Sequence, residues 1–148
     1  MSTGESIMHT YLHQVVARGK LELIDELAHA DMVDEANAAF GGPPGRAGLV
    51  AHARGFLKHV QDVEVSVKQI VGNEHQAMGW WSFEGTLAGP WLGRKPTGER
   101  FSAEVFSFFE LREGRVARYR LWLHAALTPP AIFDSQTALS ARELTGPK

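Results

Sequence analysis

The carboxylate of Glu84 lies in an aromatic stretch of the sequence, between Trp80 and Trp91. If this stretch is a strand, alternation places Trp80, Ser82 and Glu84 on one face. A carboxylate enclosed by aromatic side chains is costly to ionise, which suits a general acid or base. Glu84 is therefore a candidate catalytic residue, with Trp80 and Ser82 as candidate substrate contacts. The simpler alternative is a solvated glutamate, or one paired with an arginine.

A tyrosine and two adjacent acids are the other candidates for polar chemistry. The hydroxyl of Tyr119 could donate a hydrogen bond to a substrate carbonyl, and the alternative is a core tyrosine whose hydroxyl meets a neighbour or water. Asp34 and Glu35 lie in a polar segment and could polarise a substrate. We treat Asp34 as a candidate catalytic residue and Glu35 as a candidate substrate contact, although acidic loops are more often simply solvated.

The sequence contains no motif for a metal or a phosphate-bearing cofactor. Two histidine pairs have helical spacing, His9 with His13 and His52 with His59, but no carboxylate at ligand spacing completes a zinc-type set. The glycine-rich segment 41–45 lacks the lysine and the preceding strand of a phosphate loop, and no serine lies in a nucleophile-elbow motif. Without cysteine, thiolate chemistry is excluded. We expect neither a metal nor a cofactor.

Length and charge narrow the class of protein. The 148 residues fit a single domain over positions 1–148 with a sizeable core. A net charge of −2 and scattered basic residues do not favour nucleic-acid binding. No apolar stretch approaches the length of a membrane span, and the N-terminus lacks the pattern of a secretory signal. We therefore expect a cytoplasmic protein with no nucleic-acid or membrane partner.

The elements that position these residues follow from the periodicity of apolar side chains. Helical spacing predicts three helices and alternation predicts four strands, in the order of an α+β fold. The helices are predicted near 7–16, 21–27 and 49–60, with a loop over 31–46. The strands are predicted near 63–67, 76–87, 99–111 and 115–127, ended by Thr128-Pro129-Pro130 before a polar tail.

Strand alternation assigns an inner face to the last two strands. Apolar residues dominate the odd positions, so we assign those positions to the interior. They are Phe101, Ala103, Val105, Ser107 and Phe109, then Ala117, Tyr119, Leu121 and Leu123. The even positions include Phe106, Phe108 and Trp122, which are costly to leave in water. We expect them to form a homodimer interface.

A glycine-rich pattern links the second and third predicted strands. It resembles the G-T-H-x-G, spacer, G-x-x-P-T-G run of the SnoaL-like polyketide cyclases, which belong to the NTF2-like superfamily. The matching residues are Gly85-Thr86-Leu87-Ala88-Gly89, Gly93 and Pro96-Thr97-Gly98, with Pro44-Gly45-Arg46-Ala47-Gly48-Leu49 upstream. The resemblance extends over roughly residues 5 to 127.

This resemblance implies a cone in which helices cover a curved, mainly antiparallel sheet around a deep pocket. The segment 33–35 would close over the pocket mouth. Such an apolar pocket would take a hydrophobic, polyketide-type small molecule. The candidate substrate contacts are then Trp80, Ser82, Trp91, Phe101, Val105, Ser107, Phe109, Leu121 and Glu35.

The usual catalytic residues of that family are replaced in this chain. The aspartate on the family's last strand falls at Leu121, and the histidine on the preceding strand falls at Ser107. The resemblance therefore implies the scaffold without its usual acid–base pair. Glu84 or an acid of the first loop would have to take over, or pocket shape would have to suffice.

We expect a cofactor-independent cyclase that closes a ring in a polyketide-type intermediate. Ring closure would be aldol-type, or would follow from folding a reactive chain into a near-attack conformation. Because Leu121 can only pack, we expect pocket shape to matter more than any single titrating group. The alternatives are a hydroxylase, or an epoxide hydrolase or isomerase, of a small hydrophobic metabolite, and a non-catalytic binding protein.

Overall fold

Helices cover one face of a five-stranded sheet in the computed structural model, which describes residues 1–39 and 41–126. Helix α1 continues directly into a π-helical segment, and a 3₁₀ turn precedes α2. The bounds are α1 Thr3–Thr10, π-helical segment Tyr11–Val16, 3₁₀ turn Leu21–Leu23, α2 Ile24–Leu27, α3 Glu35–Ala39 and α4 Arg46–His59. The three predicted helices are confirmed, and α3 is an addition within the predicted loop.

The sheet is mixed and contains one strand more than the sequence predicts. Its order is β1-β5-β4-β3-β2, with β1 parallel to β5 and all other neighbours antiparallel. The strands are β1 Ala28–Asp34, β2 Val60–Gly72, β3 Gln76–Leu87, β4 Arg100–Arg112 and β5 Arg115–Ala126. The prediction of four strands was wrong because β1 begins at Ala28 and extends into the segment 31–46 that was assigned to a loop.

The inner face of the sheet packs against the N-terminal helical layer. Met8 and Leu12 lie against β3 at Gly79, where an added Cβ would come within 3.0 Å of the Met8 side chain and 3.1 Å of the Leu12 side chain. Both side chains are fully buried. The missing side chain of Gly79 therefore lets the first helical segment lie close to the sheet.

The predicted inner face of β4 and β5 is confirmed, with one local exception. All five odd positions of β4 from Phe101 to Phe109 are buried, as is Tyr119 of β5. A register irregularity between Glu110 and Leu111 changes the alternation at the start of β5. As a result Val116 is buried and Ala117 only partly so, the reverse of the prediction.

None of the described helices is long and apolar enough to cross a membrane. The predicted strand end at Thr128-Pro129-Pro130 and the polar tail lie outside the described residues.

Candidate active site

An apolar cavity of about 130 Å³ lies between the helices and the inner face of the sheet. A single buried water needs only about 10–15 Å³, so the space can take a small ligand. Its wall combines aromatic and aliphatic side chains. The aromatic lining residues are Tyr11, Phe56, Trp81, Phe83, Trp91 and Tyr119. Among the described residues that line it, His52 is the one imidazole, a side chain that can both donate and accept a proton.

His52 is held by a buried carboxylate. Its Nδ1 lies 2.6 Å from Asp34 Oδ2, and the side chain of Asp34 is only 1% exposed, whereas that of His52 is 29% exposed. Asp34 Oδ1 accepts a second hydrogen bond, from the backbone N–H of Asn37 in α3, at 3.1 Å. A carboxylate that accepts the Nδ1 proton fixes the ring orientation and leaves Nε2 as the proton-accepting atom.

The fold brings Asp34 and His52 together from two different elements. Asp34 is the last residue of β1, and His52 lies in α4. Arg46 at the start of α4 donates from Nη1 to the carbonyl of Ala28 at 3.1 Å, which joins this helix to the start of β1. His52 also follows the buried Leu49 by one helical turn, so it faces the sheet.

Tyr119 ends a buried chain of hydrogen bonds beside this pair. Trp81 Nε1 donates to Ser107 Oγ at 3.0 Å, and Ser107 Oγ lies 2.9 Å from the hydroxyl of Tyr119. The indole N–H can only donate, so Ser107 accepts from Trp81 and has its own proton available for Tyr119. With Ser107 as the donor in this hydrogen bond, the Tyr119 hydroxyl can donate its own proton to another acceptor.

Both tyrosines at this end of the cavity stay protonated. Burial raises the pKa of Tyr119 and the nearby Asp34 carboxylate raises it further, although the hydrogen bond from Ser107 opposes the shift. Burial also raises the pKa of Tyr11, with smaller contributions from Tyr119 and Asp34. The two hydroxyls therefore act as hydrogen-bond donors rather than as phenolate bases.

The cavity has a polar end and an aromatic end. At the polar end the ring of His52 stacks near that of Tyr119, with centroids 6.2 Å apart. At the other end Phe56, Phe83 and Trp91 pack together with centroid distances of 4.9 to 6.0 Å. A bound molecule would thus meet a base and a hydroxyl on one side and aromatic faces on the other.

Several predicted contacts lie where the sequence places them. Val105, Leu121, Trp91 and Tyr119 line the cavity. Three others are buried behind the wall and support it. Ser107 bonds Tyr119, Phe101 packs on Phe83 and Trp91, and Phe109 packs on Tyr11 and Tyr119.

The predicted pocket positions of Trp80, Ser82 and Glu84 were wrong. Antiparallel pairing places Trp81 opposite Val105 on the inner face, so the even residues of β3 lie on the outer face. Trp80 stacks there on Phe106. The side chain of Glu84 is 55% exposed and its Oε1 lies 3.9 Å from Arg100 Nε. The alternative of a solvated, arginine-paired glutamate is the one observed.

The acidic pair 34–35 is divided between the two faces of the sheet. Asp34 is not in an open loop but ends β1, and it reaches the cavity through His52. The prediction that Glu35 contacts a substrate in the cavity was wrong. Its carboxylate pairs instead with Arg118 and Arg120 on the outer face of the sheet. Within residues 1–39 and 41–126, no group of three or more potential metal-ligating side chains forms a site.

The functional residue that sequence reasoning missed is His52. Its helical spacing with Leu49, Ala53 and Phe56 is a core-facing pattern, and this signal was present in the sequence. Its hydrogen bond with Asp34 could not be predicted from the sequence, because that contact depends on strand β1, which was not predicted. The premise that Glu84 is the titrating group of the pocket was therefore wrong.

The fold, with an apolar cavity between its helices and its sheet, is that of an NTF2-like protein. The sequence model of the SnoaL-like polyketide cyclases matches residues 6–126, and the chain belongs to that family. Membership supports an enzyme of cyclase type. No curated protein matches the chain at a significant level.

Solved structures share the fold at low sequence identity. TsrD from Streptomyces laurentii is 22% identical with a TM-score of 0.71, over 94% of this chain and 96% of that one. A SnoaL-like polyketide cyclase from Agrobacterium tumefaciens is 14% identical with a TM-score of 0.68, over 93% and 99%. An LEH-like epoxide hydrolase from M. tuberculosis is 17% identical with a TM-score of 0.60, over 94% and 90%. At these identities the likeness concerns the fold alone.

Proposed function

We propose that this protein is a cofactor-independent cyclase that closes a ring in a hydrophobic, polyketide-type intermediate. The observation that supports this most strongly is the Asp34–His52 hydrogen bond of 2.6 Å at the polar end of an aromatic cavity. His52 acts as the general base and acid, Asp34 orients it, and Tyr119 donates a hydrogen bond to substrate oxygen.

The reaction that fits this arrangement is an intramolecular aldol closure. Nε2 of His52 removes a proton from the carbon between two carbonyl groups, and the hydroxyl of Tyr119 stabilises the resulting enolate oxygen. The enolate carbon then attacks a third, more distant carbonyl of the same chain, forming the ring bond and an alkoxide. The proton held by His52 returns to that alkoxide, so the base is regenerated and no atom is lost.

The proposed acid–base residues lie on different elements of the fold from those that the family resemblance implies. Leu121 lines the cavity as an apolar contact, and Ser107 is a hydrogen-bond partner of Tyr119. The proposed acid–base residues come from β1 and α4 instead of β4 and β5. The aromatic end, with Phe83 and Trp91, holds the chain folded for attack, so shape and acid–base chemistry act together.

The proposal is tested by turnover of a linear poly-β-ketone by three variants. His52→Gln and Asp34→Asn should lower kcat by about 10²- to 10⁴-fold, the usual loss for one general acid–base group. Glu84→Gln changes a carboxylate on the outer face and is the matched control, which should retain wild-type turnover. Equal turnover by His52→Gln and the wild type would refute the mechanism.

The same polar end would suit epoxide opening, because His52 could instead deprotonate a water molecule. Labelled water separates the two reactions. Aldol closure takes no oxygen from solvent, whereas epoxide hydrolysis adds one solvent oxygen to the product. A non-catalytic binding protein would bind the chain and release it unchanged.

A further inference from the structure

An ion-pair cluster lies on the outer face of the sheet, across from the polar end of the cavity. Glu35 Oε1 accepts a hydrogen bond from Arg118 Nη1 at 2.8 Å, and Glu35 Oε2 lies 2.8 Å from Arg120 Nε. Glu110 contacts the same two guanidinium groups at 3.7 and 3.8 Å. A single glutamate at the junction of β1 and α3 is thus held by two arginines of β5.

The residues of this cluster alternate along the chain with the inward polar residues. Asp34 pairs with Tyr119 in the β1–β5 register, and both are buried. Glu35 directly follows Asp34, while Arg118 and Arg120 flank Tyr119. Neighbouring residues of a strand point to opposite faces of the sheet. The ion pairs of Arg118 and Arg120 therefore lie on the outer face, directly opposite the paired residues Asp34 and Tyr119.

The backbone ladder alone constrains this register weakly. β1 is an edge strand, and its pairing with β5 is interrupted by a register shift between Ala28 and Val33. A slip by one residue would turn Asp34 away from His52. Isolated surface ion pairs contribute little. Here one carboxylate accepts a hydrogen bond from Arg118 and forms an ion pair with Arg120, so it contacts β5 at two positions.

We propose that Glu35 is a positioning residue, which keeps Asp34 in register with Tyr119 by bridging Arg118 and Arg120. The Asp34–His52 hydrogen bond then depends on ion pairs on the opposite face of the sheet. An effect of Glu35 on catalysis by His52 rests on the proposed function. The Asp34–His52 hydrogen bond itself can be measured without a substrate.

The test is proton NMR of the ligand-free protein labelled with ¹⁵N-histidine. The Nδ1 proton of His52 is assigned by its loss in His52→Gln. In Glu35→Gln, which removes the charge at nearly constant shape, we expect this resonance to move upfield. Its exchange with water should become about tenfold faster, equivalent to about 1.4 kcal/mol of easier opening. Arg120→Gln should change the spectrum in the same direction, and it replaces Glu35→Gln if that variant is unfolded by circular dichroism.

Glu110→Gln is the matched control, because it removes the same charge from the same two arginines but lies on β4. We expect its His52 resonance and exchange rate to equal those of the wild type. An unchanged spectrum in folded Glu35→Gln, or an equal change in Glu110→Gln, would overturn the proposal. Neither result bears on the cyclase reaction, which depends on the turnover of His52→Gln.

Discussion

Both tyrosines of this chain are buried at the cavity, so alkaline pH should unfold the protein before either one ionises in the folded state. The sequence contains two tyrosines, Tyr11 and Tyr119, and burial raises the pKa of each. In the unfolded chain a tyrosine loses its proton near pH 10. Between that pH and the raised pKa values, the folded protein binds more protons than the unfolded one, and stability therefore falls as pH rises.

The size of this effect follows from the two pKa shifts. Above pH 10, each tyrosine that stays protonated in the folded protein lowers the free energy of unfolding by about 1.4 kcal/mol per pH unit. While both folded pKa values stay above the pH, two such tyrosines together lose about 3 kcal/mol of stability for each pH unit, a large share of the stability of a marginal domain. We expect cooperative unfolding in this range.

The assay follows tyrosinate absorbance and far-ultraviolet circular dichroism together through an alkaline titration. The two signals should change at the same pH, and the Tyr119→Phe variant should show half the absorbance amplitude. A tyrosine that ionises reversibly near pH 10 while the circular dichroism stays constant would refute the assignment of both hydroxyls to a closed site.

Three further predictions concern packing. Ser107→Ala leaves the buried N–H of Trp81 without its acceptor and should lower the free energy of unfolding by about 1–3 kcal/mol, measured by urea denaturation; an unchanged midpoint would contradict the hydrogen-bond chain. Trp91→Ala opens the aromatic end of the cavity and should lower turnover of a linear poly-β-ketone by at least about tenfold; wild-type turnover would show that folding of the substrate does not depend on this wall. Phe106 and Trp122 are 37% and 56% exposed on the outer face, so we predict a homodimer that Trp122→Ser weakens, as measured by light scattering; a monomeric wild type at micromolar concentration would contradict it.

Strand alternation was sufficient to predict most of the sheet and the inner face of β4 and β5. Those strands contain long runs of apolar and aromatic residues, so each face is specified by many side chains at once. The strand β1 could not be recognised in the same way. Its sequence from Ala28 to Asp34 has little alternation and few β-branched residues. It forms a strand because it pairs with the edge of β5.

The error in β3 came from choosing a strand face by its titratable residue. Trp80, Ser82 and Glu84 were chosen because one of them could titrate, although Trp81, Phe83 and their odd neighbours form a wholly apolar face. A hydrophobic face belongs in the interior whenever the opposite face carries a charge. Applying that rule to β3 alone would have placed Glu84 outside.

The proposed catalytic pair, Asp34 and His52, was the least predictable feature. Asp34 lies in β1 and His52 in α4, and no periodicity of the sequence relates residues of two different elements. Their contact depends on the register of β1 against β5 and on the position at which α4 begins. The sequence indicated each residue singly, Asp34 as an acid and His52 as one member of a histidine pair. Only the tertiary structure brings them to 2.6 Å.

Proton abstraction by His52 is tested most directly with a 1,3-diketone analogue that cannot cyclise. In deuterated water the wild-type protein should exchange the proton between the two carbonyl groups, measured by mass spectrometry, without forming a ring. We predict that His52→Gln slows this exchange by about 10²- to 10⁴-fold and that Glu84→Gln exchanges at the wild-type rate. Equal exchange by His52→Gln and the wild type would contradict the account.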